Sequence, residues 1–215
     1  MTRLQPLVYA LVLVAVVLSM SGCGRHAVLR KYYIIELPDP AGLSTRTTPV
    51  SDAACEILPV SVADAFASDR IAMRRDSYEL TYYAYHQWAV PPGEATMQLI
   101  EQHLQDSRLF SSVSGRFWEL LPDYRLQTRI HQLEVVRDDA GRLSAHLHVD
   151  YSLIERQTNT VVVFHDRDSI VPLPDRNMNA FAEAISGLLQ QSLVDLSGKL
   201  EAHLVPENRA GDGED

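Results

Sequence analysis

Residues 142–155 read Arg-Leu-Ser-Ala-His-Leu-His-Val-Asp-Tyr-Ser-Leu-Ile-Glu, with apolar side chains at Leu143, Ala145, Leu147, Val149, Tyr151 and Leu153. A period of two is the pleat of a β-strand, so these six face a core while Ser144, His146, His148, Asp150 and Ser152 face away. The segments on either side are strands too. Upstream, Tyr124 to Arg137 places Leu126, Thr128 and Ile130 on one face and then Leu133 and Val135, and this change of phase predicts a bulge near His131-Gln132. Asp138-Asp139-Ala140-Gly141 turns the chain between the two, and Gln157-Thr158-Asn159 turns it again into a third strand, Thr160 to Val171.

Working outward, Asn177 to Leu204 carries Phe181, Ile185, Leu188, Leu189, Ser192, Leu193, Leu196 and Leu200 at helical spacing, a stripe that must cover a sheet face. Gly93 to Asp106 repeats Met97, Ile100 and Leu104 at three and four and reads as a second, shorter helix. Arg70 to Arg75, a turn near Asp76-Ser77, and Tyr78 to Trp88 form a hairpin that stops before Pro91-Pro92. Ala54 to Val62 is a strand with Pro59 marking an edge or bulge, and Lys31 to Leu37 is a short strand closed by Pro38-Asp39-Pro40. Ala41 to Asp52, rich in Ser, Thr, Gly and Pro, is a surface linker. Strands in series with segregated helices give an α+β fold: a single domain over 31–204, a mostly antiparallel mixed sheet of about five to seven strands, and two main helices packed on it. Residues 205–215, polar and acidic, have nothing to bury and form a disordered tail.

The amino terminus is an export signal. One basic residue, Arg3, precedes an uncharged run from Leu7 to Leu18, and small residues then surround Cys23. The run is too short to cross a hydrocarbon core of roughly 30 Å, which favours cleavage. Leu18-Ser19-Met20-Ser21-Gly22-Cys23 resembles the lipobox of bacterial lipoproteins, which implies a signal peptide over 1–22, acylation of Cys23 and a lipidated linker over 23–30. Met20 stands where Leu is usual. Gly24 in place of Asp after the cysteine implies the periplasmic face of the outer membrane.

The chain carries 19 Lys and Arg against 28 Asp and Glu, a formal charge of -9, so a phosphate-binding basic footprint for nucleic acid is excluded. Cleavage removes only Arg3 among the charged residues and makes the exported chain more acidic still, so net charge should not make it cling to anionic headgroups. Two cysteines make no disulfide framework, and Cys55, inside the apolar run from Ala53 to Val60, reads as a buried thiol. No phosphate loop, dinucleotide fingerprint, nucleophile elbow or His-Glu-x-x-His helix occurs, and no Ser, His and carboxylate spacing marks a nucleophile with its base.

Two clusters remain. His146 and His148 share the outward strand face, and pairing Arg137 with Arg142 places His148 opposite His131, while closing the next hairpin with Glu155 and Thr160 places Asp150 opposite His165. Three imidazoles and a carboxylate suit zinc, but a slip of one residue dissolves the set, and the plainer reading is an open or partner-covered His-rich face. No metal and no cofactor are expected. Tyr78, Tyr82, Tyr83, Tyr85 and Trp88 form the densest aromatic region and occupy both faces of their strand, so one face meets either the core or a partner.

The ordered set of lipobox, Tyr32-Tyr33-Ile34-Ile35-Glu36-Leu37, Ile57-Leu58-Pro59-Val60, Arg70-Ile71 and Tyr82-Tyr83 ahead of Trp88-Ala89 resembles the PqiC-type lipoproteins, the ABC-type transport auxiliary lipoprotein component family, over about 23–204. Two positions depart from its pattern: Gln87 precedes the Trp where Arg is common, and Val90-Pro91-Pro92 follows Trp88-Ala89. The resemblance implies an α+β domain, no catalytic residues, and a place in an intermembrane lipid-transport system with an MCE-domain protein, an ABC permease and an ATPase. It also implies self-association into a ring and contact with phospholipid. The resulting expectation is a lipid-anchored, non-enzymatic outer-membrane component that docks the MCE protein through Tyr78, Tyr82, Tyr83, Tyr85 and Trp88. A lipidated metal- or small-ligand-binding protein, and a lipoprotein that assembles another envelope component, are the alternatives.

Overall fold

In the computed structural model, residues 29–37, 46–117 and 121–205 are described. Among these residues nine strands and two helices follow in the order β1 (Lys31–Tyr33), β2 (Ser51–Ile57), β3 (Ser61–Val62), β4 (Arg70–Asp76), β5 (Glu79–Trp88), α1 (Pro92–Ser107), β6 (Phe110–Ser114), β7 (Tyr124–Arg137), β8 (Leu143–Glu155), β9 (Thr160–Pro172) and α2 (Met178–Leu204). The signal peptide, Cys23 and its linker up to residue 28, and the tail from residue 206 lie outside the described residues.

The fold is α+β, with one mixed sheet organised around β7. Along one edge β7 pairs in parallel with β2, β3 and β4 in succession, and along the other it runs antiparallel to β8. β8 then pairs antiparallel with β9, and the hairpin of β4 and β5 extends the sheet to β1, which lies parallel to β5. Beyond β2, the parallel strand β6 completes the other arm. The sequence reading differs from this sheet in three places. The segment expected as one strand from 54 to 62 is two, broken around Pro59, and β2 begins three residues earlier than expected because Ser51 pairs with Phe110. β1 ends at Tyr33. β6 was absent from the reading altogether.

The alternation in β8 does what a period of two requires. Leu147, Val149, Tyr151 and Leu153 are buried, and they join Leu126, Ile130, Leu133 and Val135 of β7 in one core under the stripe of α2. All eight residues of that stripe are buried. The Asn177 side chain accepts the Asn179 N–H at the start of α2, and Pro92 opens α1 where a missing N–H costs nothing. His103 of α1 meets the Ser197 hydroxyl of α2 at 2.8 Å, tying the helices together. Gly141, at φ 74°, holds the left-handed position of the β7–β8 turn, where its N–H donates to the Asp138 carbonyl at 2.8 Å.

The bulge falls where the change of phase put it. The β7–β8 register shifts between Ile130 and Gln132, leaving His131 as the extra residue. A second bulge was not expected. The β8–β9 register shifts between Leu153 and Ile154, which inserts Val162 and turns every later side chain of β9 to the opposite face.

Candidate partner-binding face

The β4–β5 hairpin distributes its aromatics unevenly. Tyr78, in the turn, is fully exposed. Tyr82 is half-buried, its hydroxyl donating to the Ala65 carbonyl at 2.9 Å while the Arg70 guanidinium stacks 4.1 Å above its ring. Tyr83 turns to the other face, where its hydroxyl lies 3.4 Å from the Met73 sulfur. Tyr85 returns to the open face and is 50% exposed.

Trp88 corrects the sequence reading. It is 2% exposed, with its ring 5.6 Å from that of Phe181 in α2, and its backbone N–H donates to the Asp69 carbonyl at 2.7 Å. Pairing of Tyr33 with Trp88 brings β1 alongside, so the indole closes the core instead of meeting a partner.

Two residues missing from that reading join Tyr85. Tyr32 pairs with Gln87, which makes it a diagonal neighbour of Tyr85 on the same face, and it is 60% exposed; Ile34, just beyond, is 52% exposed. A signal for them existed: in Tyr32-Tyr33-Ile34-Ile35 both alternating sets are apolar, so burying Tyr33 and Ile35 leaves Tyr32 and Ile34 outside. Two tyrosines and an isoleucine thus lie exposed together at the β1 edge, an apolar cluster on the surface.

The histidine face does not assemble as the zinc reading required. His131 and His148 do meet, their rings 4.6 Å apart, but the second bulge pairs Asp150 with Asp166 and sends His165 inward to stack on Tyr151 at 5.9 Å. Each outward imidazole takes carboxylates instead: His131 with Asp150, His148 with Asp166 at 2.9 Å, and His146 with Glu134 at 3.3 Å and Asp168 at 2.8 Å. Among the described residues no three His, Cys, Asp or Glu side chains group so as to hold a metal ion.

Glu134 is the center of this network. It is wholly buried, and its Oε1 accepts from Arg74 Nε at 2.8 Å as well as facing His146 Nδ1. Burial pushes its carboxyl upward, yet the hydrogen bonds from His146 and Arg74 outweigh that and hold it below the ordinary carboxylate value. Burial pulls His146 down, and its bonds to Glu134 and Asp168 outweigh that and raise it. A raised histidine stabilises the fold fully below its unfolded value and stops doing so as pH climbs through the folded one; a depressed carboxylate stabilises above its unfolded value and stops as pH falls. Thermal melts of wild type and His146→Gln should therefore differ most near pH 6, with the wild type higher, and the gap should narrow at pH 8. A gap of constant size would show that His146 is not held as the imidazolium. Cys55 is fully buried and its thiol is pushed up to about 12 by that burial, as befits a core residue.

Comparison with known proteins follows the same fold. A family model described as ABC-type transport auxiliary lipoprotein component matches residues 33–197. No curated protein matches the chain. The crystal structure of protein XCC0632 from Xanthomonas campestris is similar at 21% identity and a TM-score of 0.61, covering 75% of this chain and 94% of that one. That of an uncharacterized protein is similar at 10% identity and a TM-score of 0.62, covering 80% and 99%. At such identities the two structures speak to the fold alone. The family match spans the sheet from β1 to most of α2, and the chain belongs to the ABC-type transport auxiliary lipoprotein component family.

Proposed function

We propose that this chain is a non-catalytic auxiliary component of an MCE-type intermembrane lipid-transport system, anchored through acylated Cys23 to the periplasmic face of the outer membrane. The exposed cluster of Tyr85, Tyr32 and Ile34, together with Tyr78 at the hairpin tip, docks the MCE-domain protein, whose system also contains an ABC permease and ATPase. The observation that carries this reading is the exposure of these apolar side chains on one face of the β1–β5 edge, in a chain whose family assists ABC-type transport. A ring of such domains fits the same role, since among the described residues β1 ends the strand order and has no neighbour on its outer side.

Co-purification of the full lipoprotein with an MCE-domain protein from the same cell tests the surface. Tyr85→Ala combined with Tyr32→Ala should reduce recovery of the MCE protein at least tenfold, on the order of the 2 kcal/mol expected of aromatic anchors, with the melting temperature unchanged. Undiminished recovery would remove the docking face.

A further inference from the structure

Where the β7–β8 turn meets the start of α2, a cleft of about 510 Å³ opens between β1, β4, β5 and Gly141. Among the described side chains its charged lining is cationic: Lys31, Arg137 and Arg176. The arginines converge. A Cβ placed on Gly141 would lie 3.2 Å from Arg176 Nη2 and 3.6 Å from Arg137 Nη2, so both guanidiniums flank one point.

Like charges gathered in this way need a reason in so acidic a chain. Arg176 donates to the Gly141 carbonyl at 3.1 Å, and no ion pair among the described side chains involves it or Arg137. The nearby Asp138 is engaged by Arg142 at 2.7 Å. Residues Asn177 and Met178, which open the 27-residue helix α2, also line the cleft and add the partial positive charge of a helix amino end.

The rest of the wall is different in kind. Met73, Leu143 and Met178 supply an apolar floor, and Tyr83 and His86 border it. Two forked guanidiniums and an ammonium suit a phosphate, with bidentate donation from each arginine, and the floor suits carbon attached to that phosphate. The volume lies within the range of small-ligand sites.

We propose that this cleft binds a phosphate group carried on an apolar stem, gripped by Arg137 and Arg176 with Lys31 beside them. The inference stands on the cleft and does not require the docking face. The phosphate could come from a phospholipid headgroup or from a water-soluble phosphate, and with Cys23 acylated as proposed above the first is favoured by reach: Lys31 lies eight positions after Cys23, a span of at most roughly 28 Å.

Isothermal titration of the full lipoprotein in detergent distinguishes the sources, using dihexanoyl phosphatidylglycerol and inorganic phosphate as probes. Saturable binding of the lipid, weakened at least tenfold in Arg137→Gln/Arg176→Gln and with inorganic phosphate far weaker, is the expected result. Equal binding of inorganic phosphate would keep the phosphate site and remove the lipid as its source. No saturable binding of either probe, or binding untouched by the double substitution, overturns the proposal. Because the substitutions relieve repulsion between two guanidiniums, the melting temperature should not fall. Should the double variant fail to fold, Lys31→Gln on the exposed edge strand replaces it, with about a threefold loss expected and no change overturning the site. Tyr85→Ala should leave lipid binding intact, which separates this result from that of the docking test.

Discussion

Trp88→Ala is expected to cost about 3–5 kcal/mol of folding stability, measured by urea unfolding, and to leave little folded protein at growth temperature. The indole is enclosed by Phe181 and by the β1 strand that pairs Tyr33 with Trp88. Truncation would leave a cavity beneath the amino end of α2 in a domain whose total stability is typically 5–15 kcal/mol. Tyr85→Ala, three residues away on the open face, should move stability by no more than about 0.5 kcal/mol. The pair thus separates what holds the fold from what meets a partner. If Trp88→Ala unfolds at the wild-type urea midpoint, the corner is not packed as described.

Cys23→Ser is expected to move the exported chain almost completely from the membrane fraction to the soluble one. Acyl chains contribute about 0.8 kcal/mol per buried methylene, so two or more on one cysteine hold a domain to a bilayer stably. Little else would. The chain carries a formal charge of -9, and among the described residues no helix is long and apolar enough to cross a membrane. Fractionation of the variant, with radiolabelled fatty acid incorporation into the wild type as the companion measurement, decides it. A variant that stays with the membrane would mean that something other than acyl chains retains this protein.

The parts of the fold that could be read in the sequence are those where a single strand has one wet and one dry face. β7, β8 and β9 were legible to within a residue or two, as was α2, because burial imposes a period on them. The bulge at His131 was legible because apolar residues on both sides of it reveal the change of phase. The bulge at Val162 was not: it lies in Val161-Val162-Val163-Phe164, where every residue is apolar and a shift of register leaves no trace in the pattern. That hidden insertion is why His165 faces Tyr151 rather than Asp150. β6 escaped for a different reason, since only Phe110 and Val113 of its five residues are buried and their spacing of three is not the period of a strand.

The candidate face was half legible. Aromatic density located the hairpin, but which ring faces inward depends on β1, a strand of three residues from a distant part of the chain. The parallel pairings of β2, β3 and β4 with β7 were equally invisible, since local pattern says nothing about a partner so far along the chain.

The position of β7 has a bearing on how the molecule is made. A chain emerges amino end first, so β2, β3 and β4 exist before the strand on which all three must lie. Until residue 137 has emerged they have only the β4–β5 hairpin and the β2–β6 pairing to engage their backbone groups. Once β7 arrives, β8, β9 and α2 follow as a local meander and cover, so the last ninety or so residues bring both the missing template and the lid for the core. For a newborn copy, the first half is a set of waiting edges, and sheltering them until translation ends becomes a task for the cell rather than for the polypeptide itself.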